Sequence, residues 1–309
     1  MKNKNLFILF AILLAIYLGA KLFSNKTPDR SFEPELVKID TTLVTKILLN
    51  TKADNQEEVV LEKTGTTWQA TKGDISVVAN SATVNALLDQ LVLVKTKRVA
   101  AKKKDKWSDY ELEEGKANRI RIYAGNELLK DVVVGRFDFN QSTRSATTFV
   151  RLSEEENVYA VDGFLSMAFG NGFNAYRNNA LTKMRAEDIL KVSLKNADQM
   201  IELTKNGSNW MSSNGQVLDS LKMANYLNAL STVKGSNFDD AFSNQGQDAF
   251  QTLTITGNNL REPIVLEAFK SGSEENVFFI KSNQNKEATF KSKSEEIYKT
   301  IFTNFTALF

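Results

Sequence analysis

The chain has 309 residues, of which 42% are hydrophobic and 25% are charged, and its net charge is +2. This composition is typical of a globular protein of about two domains, and the near-neutral charge gives no electrostatic case for nucleic acid. The chain has no cysteine and no histidine, which excludes disulfides, thiol catalysis, Ser-His-Asp triads and Cys- or His-ligated metal sites. We therefore expect no metal, no cofactor and no enzymatic activity.

The N-terminal segment is the most apolar part of the chain. Residues 6–20, LFILFAILLAIYLGA, carry no charge, and extension to Phe23 gives a run long enough to cross a bilayer as a helix. A cleaved signal peptide would need a small residue at Leu18, and a buried core helix would show a polar face. The run therefore favours an uncleaved transmembrane signal anchor at residues 1–23.

This anchor sets the expected location of the rest of the chain. Residues 24–35 read as a juxtamembrane linker, since they hold two of the three prolines. Lys2 and Lys4 favour a cytoplasmic N-terminus. We expect residues 24–309 on the extracytoplasmic (periplasmic) side of a bacterial inner membrane, with residues 6–23 in contact with the lipid bilayer.

Two similar hairpins follow, 142 positions apart. LEKTGTTW (61–68) and LTKNGSNW (203–210) share the pattern Leu-x-Lys-x-Gly-x-x-Trp. Alternation of apolar residues predicts strands, and the glycines Gly65 and Gly207 predict tight turns. Trp68 and Trp210 each begin the returning strand. They are either paired ligand platforms or residues that pack over the core, and the second interpretation is favoured.

A helix is predicted after each hairpin. In residues 80–95 the apolar positions recur at i, i+3, i+4 and i+7, and residues 219–234 repeat this spacing. Asn80 or Ser81 can cap the first helix, and Asp219 or Ser220 the second.

The second half of each copy is predicted to contain four strands and a helical segment. Hairpins are expected at 119–135 and 251–269, with turns at 125–126 and 257–258. Later strands are expected at 147–152, 156–161, 276–281 and 287–291, and helical segments at 162–169 and 294–305.

The predicted fold class is therefore α+β: an N-terminal transmembrane helix followed by two tandem copies of an antiparallel-sheet-plus-helix unit. The first copy is placed at residues 36–180 and the second at residues 181–309.

Several of these segments resemble one bacterial family. They are the hairpin with its Trp, the capped helix containing LLDQL (87–91), Tyr110-Glu111-Leu112 before a strand, Val134-Gly135, Val158-Tyr159 and residues 176–181, YRNNAL. This pattern resembles domain-of-unknown-function family 4340 (DUF4340) over nearly all of residues 36–309. The chain departs from it at Glu111, where members tend to have glycine, and at Asn178 and Asn179, where they tend to have an acidic residue and a base.

The resemblance implies a role in the cell envelope. Members commonly carry an N-terminal membrane anchor, and many occur beside ABC transporter components of the gliding-motility type. The resemblance thus implies an accessory envelope protein with ABC transporter subunits as partners. It implies no reaction and no catalytic residues.

Candidate functional residues lie where the two copies diverge. The loop RFDFNQSTRSATTF (136–149) has no equally long aromatic counterpart in the second copy. Its residues Arg136, Phe137, Phe139 and Arg144 are of types enriched at interfaces. A second divergence, GNGF (170–173), adds Phe173. An ordinary hairpin and an ordinary linker are the other interpretation of these segments, and that interpretation is favoured.

Charged clusters have simpler interpretations. The run Lys102–Lys106 could contact anionic lipids or an acidic partner, but a solvated loop is favoured. The carboxylates at 154–156 and 274–275 lie in predicted turns rather than across a cleft, as sugar hydrolysis would require.

These observations favour a non-enzymatic, membrane-anchored extracytoplasmic scaffold or accessory subunit of an envelope complex. An alternative is a glycan- or solute-binding module that uses a cleft between the repeats. A third hypothesis is a carboxylate-dependent hydrolase.

Overall fold

The structure, a computed structural model, describes residues 34–197 and 199–309. Strands are the main element of the described residues, because most segments are short and alternate apolar with polar side chains. The first ten strands are β1 (Glu35–Lys38), β2 (Lys46–Asn50), β3 (Glu58–Thr64), β4 (Thr67–Lys72), β5 (Ile75–Val78), β6 (Leu93–Ala101), β7 (Asn118–Ala124), β8 (Glu127–Asn140), β9 (Ser145–Leu152) and β10 (Val158–Asp162). The others are β11 (Ile189–Asn196), β12 (Met200–Asn206), β13 (Asn209–Ser212), β14 (Gln251–Gly257), β15 (Ile264–Lys270), β16 (Val277–Ser282) and β17 (Asn285–Lys293).

Helices in the described residues are short. The α-helices are α1 (Ser81–Asp89), α2 (Leu165–Phe169), α3 (Ser220–Ser231) and α4 (Asn304–Thr306). A π-helix at Lys299–Thr303 precedes α4. Short 3-10 helices lie at Lys52–Asp54, Lys104–Tyr110, Phe173–Tyr176 and Ala186–Asp188.

The predicted fold class was wrong. The described residues form two antiparallel sheets rather than an α+β arrangement of sheet-plus-helix copies. The first sheet also contains β1 and β6, which have no counterpart in the second sheet. A mainly antiparallel β fold replaces the predicted class.

The error came chiefly from helix lengths. The helix predicted at 80–95 ends at Asp89, and Leu93 to Lys95 instead begin β6. These residues pair with β1, in the register Lys38 with Leu93 and Val37 with Val94. Pairing with β1, a contact distant in sequence, therefore overrides the helical spacing. The second predicted helix, at 219–234, is α3, and the side chain of Asp219 caps it by accepting from Lys222 N at 2.8 Å.

The predicted transmembrane anchor at 1–23 lies outside the described residues, as does most of the linker at 24–35. Among the residues that are described, no helix has the length and apolar character needed to cross a membrane.

The chain divides into two compact units. The described part of unit 1 comprises residues 34–63 and 82–172, and unit 2 comprises residues 64–81 and 173–309. The chain thus enters unit 2 for the β4–β5 hairpin, returns to unit 1, and enters unit 2 again at Phe173. The boundary predicted between 180 and 181 concerns the sequence copies and stays a prediction.

The strands of unit 1 are neighbours in the order β1-β6-β10-β9-β8-β7-β2-β3. In unit 2, β4 pairs with β5, and a seven-stranded sheet has the order β13-β12-β11-β14-β15-β16-β17. All of these strand pairs are antiparallel. Six strands of each sheet have equivalent neighbours. They are β3-β2-β7-β8-β9-β10 in the first sheet and β12-β11-β14-β15-β16-β17 in the second.

Each unit has its own buried apolar residues. In unit 1, Trp107, Leu112, Val133, Phe149 and Val158 belong to one cluster beneath the 3-10 helix at Lys104–Tyr110. In unit 2, α3 and the C-terminal helices cover the seven-stranded sheet, and their apolar side chains join its core.

Tyr226 ties α3 to the C-terminal segment of unit 2. Its hydroxyl donates to the carbonyl of Ile301 at 2.9 Å. Burial raises the pKa of Tyr226 well above its usual value, so this hydroxyl keeps its proton and remains a donor.

Candidate functional site

The far end of the β8–β9 hairpin is exposed although its sequence is aromatic. Strand β8 is buried from Val132 to Gly135 and becomes exposed from Phe137 to Asn140. Side chains two residues apart point to the same face of a strand, so Phe137 and Phe139 lie side by side. Phe139 keeps 51% of its surface exposed. This arrangement offers apolar rings to solvent rather than to the core.

Two further residues extend this surface. Phe164, in the turn before α2, makes an edge contact with Phe137 (ring centroids 5.4 Å apart) and stacks on Phe139 (5.9 Å). Phe164 is also exposed, as is Met167 three residues later. We call Phe137, Phe139, Phe164 and Met167 the aromatic face. The sequence predicted the hairpin phenylalanines but missed Phe164 and Met167, because residues 162–169 showed only a helical pattern.

Arg136 lies beside the aromatic face and is already engaged. Its Nε donates to the carbonyl of Asp109 at 3.0 Å, and its guanidinium forms an ion pair with Asp138. The same group lies over the ring of Phe149, 5.1 Å from its centroid. Arg136 therefore stiffens the base of the hairpin more than it offers a free charge.

Arg144 and Arg98 are the free cations of this surface. Arg144 lies in the hairpin turn with a positive φ of 50°, and Arg98 lies on β6. Neither forms an ion pair within the described residues. Arg98, Asp138, Phe139 and Phe149 are among the residues that line a depression of about 450 Å³. The aromatic face is thus bordered by unpaired positive charge.

Phe173 does not belong to this surface. It is only 4% exposed and lies in unit 2, in the 3-10 helix at Phe173–Tyr176. The guanidinium of Arg177 lies 5.4 Å from its ring centroid. Phe173 is a core residue in this structure because the helical turn points it inward.

Arg177, which contacts Phe173, carries a deeply buried charge. Its side chain is 1% exposed and binds Asp240 through both terminal nitrogens, with Nη1 to Oδ2 at 2.8 Å and Nη2 to Oδ1 at 2.7 Å. Its guanidinium also stacks on Phe238 at 4.0 Å. This pair ties the loop after α3, which contains Asp240, to the end of the first sequence copy.

The repeat markers occupy equivalent places. Gly65 and Gly207 have positive φ values of 63° and 60°, as the tight turns of their hairpins require. Trp68 and Trp210 are buried. In these positions the indoles are covered and do not present a stacking surface to a ligand.

A polar depression of about 710 Å³ lies in unit 2. Its lining is rich in amides, namely Asn80, Asn178, Asn179, Asn283, Gln284 and Asn285. Several of these amides already serve the fold: Asn285 Nδ2 donates to the carbonyls of Asn178 and Ala180, and Gln284 Oε1 accepts from Lys183 N at 2.9 Å.

Three members of the acidic and basic runs form ion pairs. Lys104 contacts Glu114 at 3.3 Å, Lys106 contacts Asp109 at 3.5 Å, and Glu274 contacts Lys291 at 2.5 Å. Within residues 34–197 and 199–309 there is no group of three or more acidic side chains placed to hold a metal ion.

One comparison with known proteins gives a match. The domain of unknown function DUF4340 matches residues 68–250, which is more than half of the chain. No curated protein and no solved structure matches this chain. The matched range includes the aromatic face, Trp68, Trp210 and Arg177. The chain belongs to the DUF4340 family.

Proposed function

We propose that this protein is a non-enzymatic scaffold or accessory subunit of a bacterial envelope complex, and that it binds a protein partner through the aromatic face. The observation that carries the proposal is the cluster of Phe137, Phe139 and Phe164, which pack on one another yet remain exposed. Clustered exposed apolar side chains are typical of interaction sites.

The energetics favour a protein partner with an apolar centre. Complete burial of one phenylalanine contributes about 1.5–3 kcal/mol, and binding hot spots are buried aromatic anchors near the centre of an interface. The three rings in contact already restrict one another, so less side-chain entropy is lost when a partner covers them.

The border of the face indicates the charge of the partner. Arg98 and Arg144 make no ion pair within the part of the chain that the structure describes. A partner with acidic residues around an apolar patch would complement them, and such charges mainly raise the association rate and fix the register.

We propose that the partner is a membrane-protein subunit of an ABC transporter or gliding-motility-type system, and that residues 24–309 lie on the periplasmic side of the inner membrane. Both statements derive from the sequence of residues 6–23 and from the family resemblance.

The partner can be tested by crosslinking from the aromatic face. A photo-reactive phenylalanine analogue at Phe139 in the full-length chain should crosslink to a membrane subunit in intact cells. The same analogue at Leu221, an exposed apolar residue of unit 2, is the matched control and should not. The crosslinked subunit is then purified, and its affinity is measured for the wild-type chain, Phe139→Asp and Leu221→Asp.

We expect Phe139→Asp to weaken binding by at least about tenfold, which corresponds to about 1.4 kcal/mol, and Leu221→Asp to leave it unchanged. Equal affinity of the two variants, or crosslinks from position 139 only to soluble cytoplasmic proteins, would contradict the proposal.

The location has a separate test, because the chain has no cysteine of its own. The substitution Ser142→Cys places one thiol in the exposed hairpin turn. A membrane-impermeant maleimide should label it in cells whose outer membrane alone is permeabilised. Labelling only after the inner membrane is broken would place the hairpin in the cytoplasm.

The alternative of a glycan- or solute-binding module has one observation in its favour, the amide-lined depression of unit 2. Amides suit the hydroxyl groups of sugars as donors and acceptors. Its lining contains no aromatic side chain, and several amides are engaged by the backbone. We therefore rank this function second.

A further inference from the structure

A second feature of unit 1 lies apart from the aromatic face. A cavity of about 470 Å³ opens beside the turn Glu113–Lys116. Its apolar wall is formed by Ala117 and Val133, and its polar lining consists of Asn50, Gln56, Glu113, Glu114, Arg119, Arg151 and Ser153. This volume lies within the range of small-molecule sites.

The most buried polar residue of this cavity is Arg151, which is only 2% exposed. Its Nε donates to the carbonyl of Leu112 at 3.3 Å, and its Nη1 donates to the carbonyls of Leu152 at 3.5 Å and Ser153 at 3.3 Å. The guanidinium stacks on the ring of Trp107, 3.8 Å from the centroid. These contacts hold the side chain in one orientation.

Arg151 forms no ion pair with any of the residues that the structure describes. All of its hydrogen-bond partners are backbone carbonyls, and its Nη2 donates no hydrogen bond within the described residues. Burial is the main cause that lowers the pKa of Arg151, yet an arginine stays charged at neutral pH. A buried charge is normally paired, because its desolvation is costly otherwise.

The acids nearby are already committed to other cations. Asp131 accepts from Arg119 Nε at 2.9 Å, Glu113 pairs with Lys116 at 3.0 Å, and Glu114 pairs with Lys104 at 3.3 Å. Glu114 and Asp131 favour the charged form of Arg151 electrostatically, but within the described residues neither forms an ion pair with it.

Arg119 offers a second donor to the same space. Its Nε and Nη2 are used by Asp131 and Ser153, while its Nη1 has no hydrogen bond within the described residues. Two guanidinium groups thus line one cavity, each with an unused nitrogen, and guanidinium nitrogens are strong donors to the oxygens of carboxylates and phosphates.

We propose that this cavity binds a small oxyanion, a carboxylate or phosphate group, which accepts from Nη2 of Arg151 and Nη1 of Arg119. The volume beyond the two guanidinium groups leaves room for a small organic body against Ala117 and Val133. The site is distinct from the aromatic face, so its test does not depend on the proposed function.

The test uses the purified full-length chain and two probes, acetate and inorganic phosphate, each titrated by calorimetry at constant ionic strength with chloride as the reference salt. We expect one saturable site with a dissociation constant on the order of 1 mM. Tighter binding of acetate indicates a carboxylate ligand, and tighter binding of phosphate indicates a phosphate ligand. The absence of saturable binding of both anions overturns the proposal.

The variants Arg151→Lys and Arg119→Gln locate the site, and Arg185→Gln is the matched control, since Arg185 is an exposed arginine of unit 2. Arg151→Lys keeps the charge but loses the planar pair of donors, and we expect binding at least about tenfold weaker. Arg119→Gln alters a half-exposed side chain, and if Arg151→Lys does not fold, the anion affinity of Arg119→Gln provides the test. Wild-type affinity in the folded variants overturns the proposal and leaves Arg151 with a structural role alone.

Discussion

Arg177 shows how a single residue can be both costly and necessary to this fold. Its charge is removed from water, and the carboxylate of Asp240 with two short hydrogen bonds compensates for that loss. Breaking a buried pair is costly because it leaves one charge unpaired. Asp240 remains partly exposed, so water can reach its side of the pair.

We predict that Arg177→Met and Asp240→Asn each lower the free energy of unfolding by about 2–4 kcal/mol. Urea denaturation of the full chain measures this. Lys299→Ala removes an exposed ion pair with Glu295 and should change stability by less than about 0.5 kcal/mol. Similar effects of the three variants would show that burial of Arg177 adds nothing to the value of its pair.

Asp188 makes stability depend on acid pH. Hydrogen bonds from Arg185, at 3.1 and 3.2 Å, hold the pKa of Asp188 below its ordinary 3.8, and Asn259 contributes another. A carboxyl group whose pKa is lower in the folded than in the unfolded state stabilises the folded state at pH values above its unfolded-state pKa. This stabilisation is lost as the pH falls through the folded-state pKa.

We therefore predict that Asp188→Asn is less stable than the wild type near neutral pH, and that the difference shrinks below pH 3.8. Unfolding free energies measured across this range test it. Glu187→Gln, at an acid that lies 3.3 Å from the same arginine but accepts no hydrogen bond from it, should show a smaller change. A difference for Asp188→Asn that is constant with pH would contradict the prediction.

At the residue scale, the sequence pointed to candidate residues by their type but did not predict whether each side chain is exposed or buried. Phe137, Phe139 and Phe173 looked alike as aromatic residues in divergent segments, but β8 exposes the first two and a helical turn buries the third. Arg151 gave no sequence signal, because the absence of an ion pair to it within the described residues depends on Glu113, Glu114 and Asp131 finding other partners.

At the element scale, β8 illustrates how a strand and a helix approach each other. Gly135 lies where the backbone of the 3-10 helix at Lys104–Tyr110 comes closest, and a Cβ at Gly135 would lie 2.0 Å from the carbonyl oxygen of Tyr110. Only glycine allows this approach without displacement of the backbone.

We predict that Gly135→Ala lowers the free energy of unfolding by about 1–3 kcal/mol through overpacking. Gly272→Ala is the matched control, since its added Cβ would meet open space and its φ is not positive. Thermal or urea denaturation distinguishes the two. Equal stability would mean that the helix moves away from β8 at little cost.

Elements differed in how far the sequence could predict them. Alternation and glycine turns located the hairpins at Gly65, Gly125 and Gly207, because these signals are local. Helix ends were placed too late, since the pairing of Leu93 and Val94 with β1 is a contact between segments far apart in sequence. The prediction of the fold class was wrong for the same reason.

At the scale of the whole molecule, unit 2 is built from two separate stretches of the chain. Residues 64–81 belong to unit 2, where Asn80 N donates to the carbonyl of Tyr176 at 2.6 Å and Val78 N donates to Glu287 at 3.3 Å. Trp68 of this hairpin is buried. Unit 2 is therefore not encoded by a continuous segment.

We predict that a fragment of residues 173–309 alone does not unfold cooperatively. The same fragment fused through a flexible linker to residues 64–81 should regain a cooperative transition, because the hairpin restores these hydrogen bonds. Urea unfolding followed by circular dichroism compares the two. Equally cooperative transitions would show that the hairpin is dispensable to unit 2.

The position of this hairpin has a consequence during synthesis. Ribosomes add about 5–20 residues per second, so the strands β4 and β5 emerge on the order of ten seconds or more before the C-terminal helices that complete unit 2. During that interval Trp68 and the strand edges around it have no finished core to join, and exposed edges of this kind favour aggregation. We expect the nascent chain to depend on a chaperone until the helices that complete unit 2 are made.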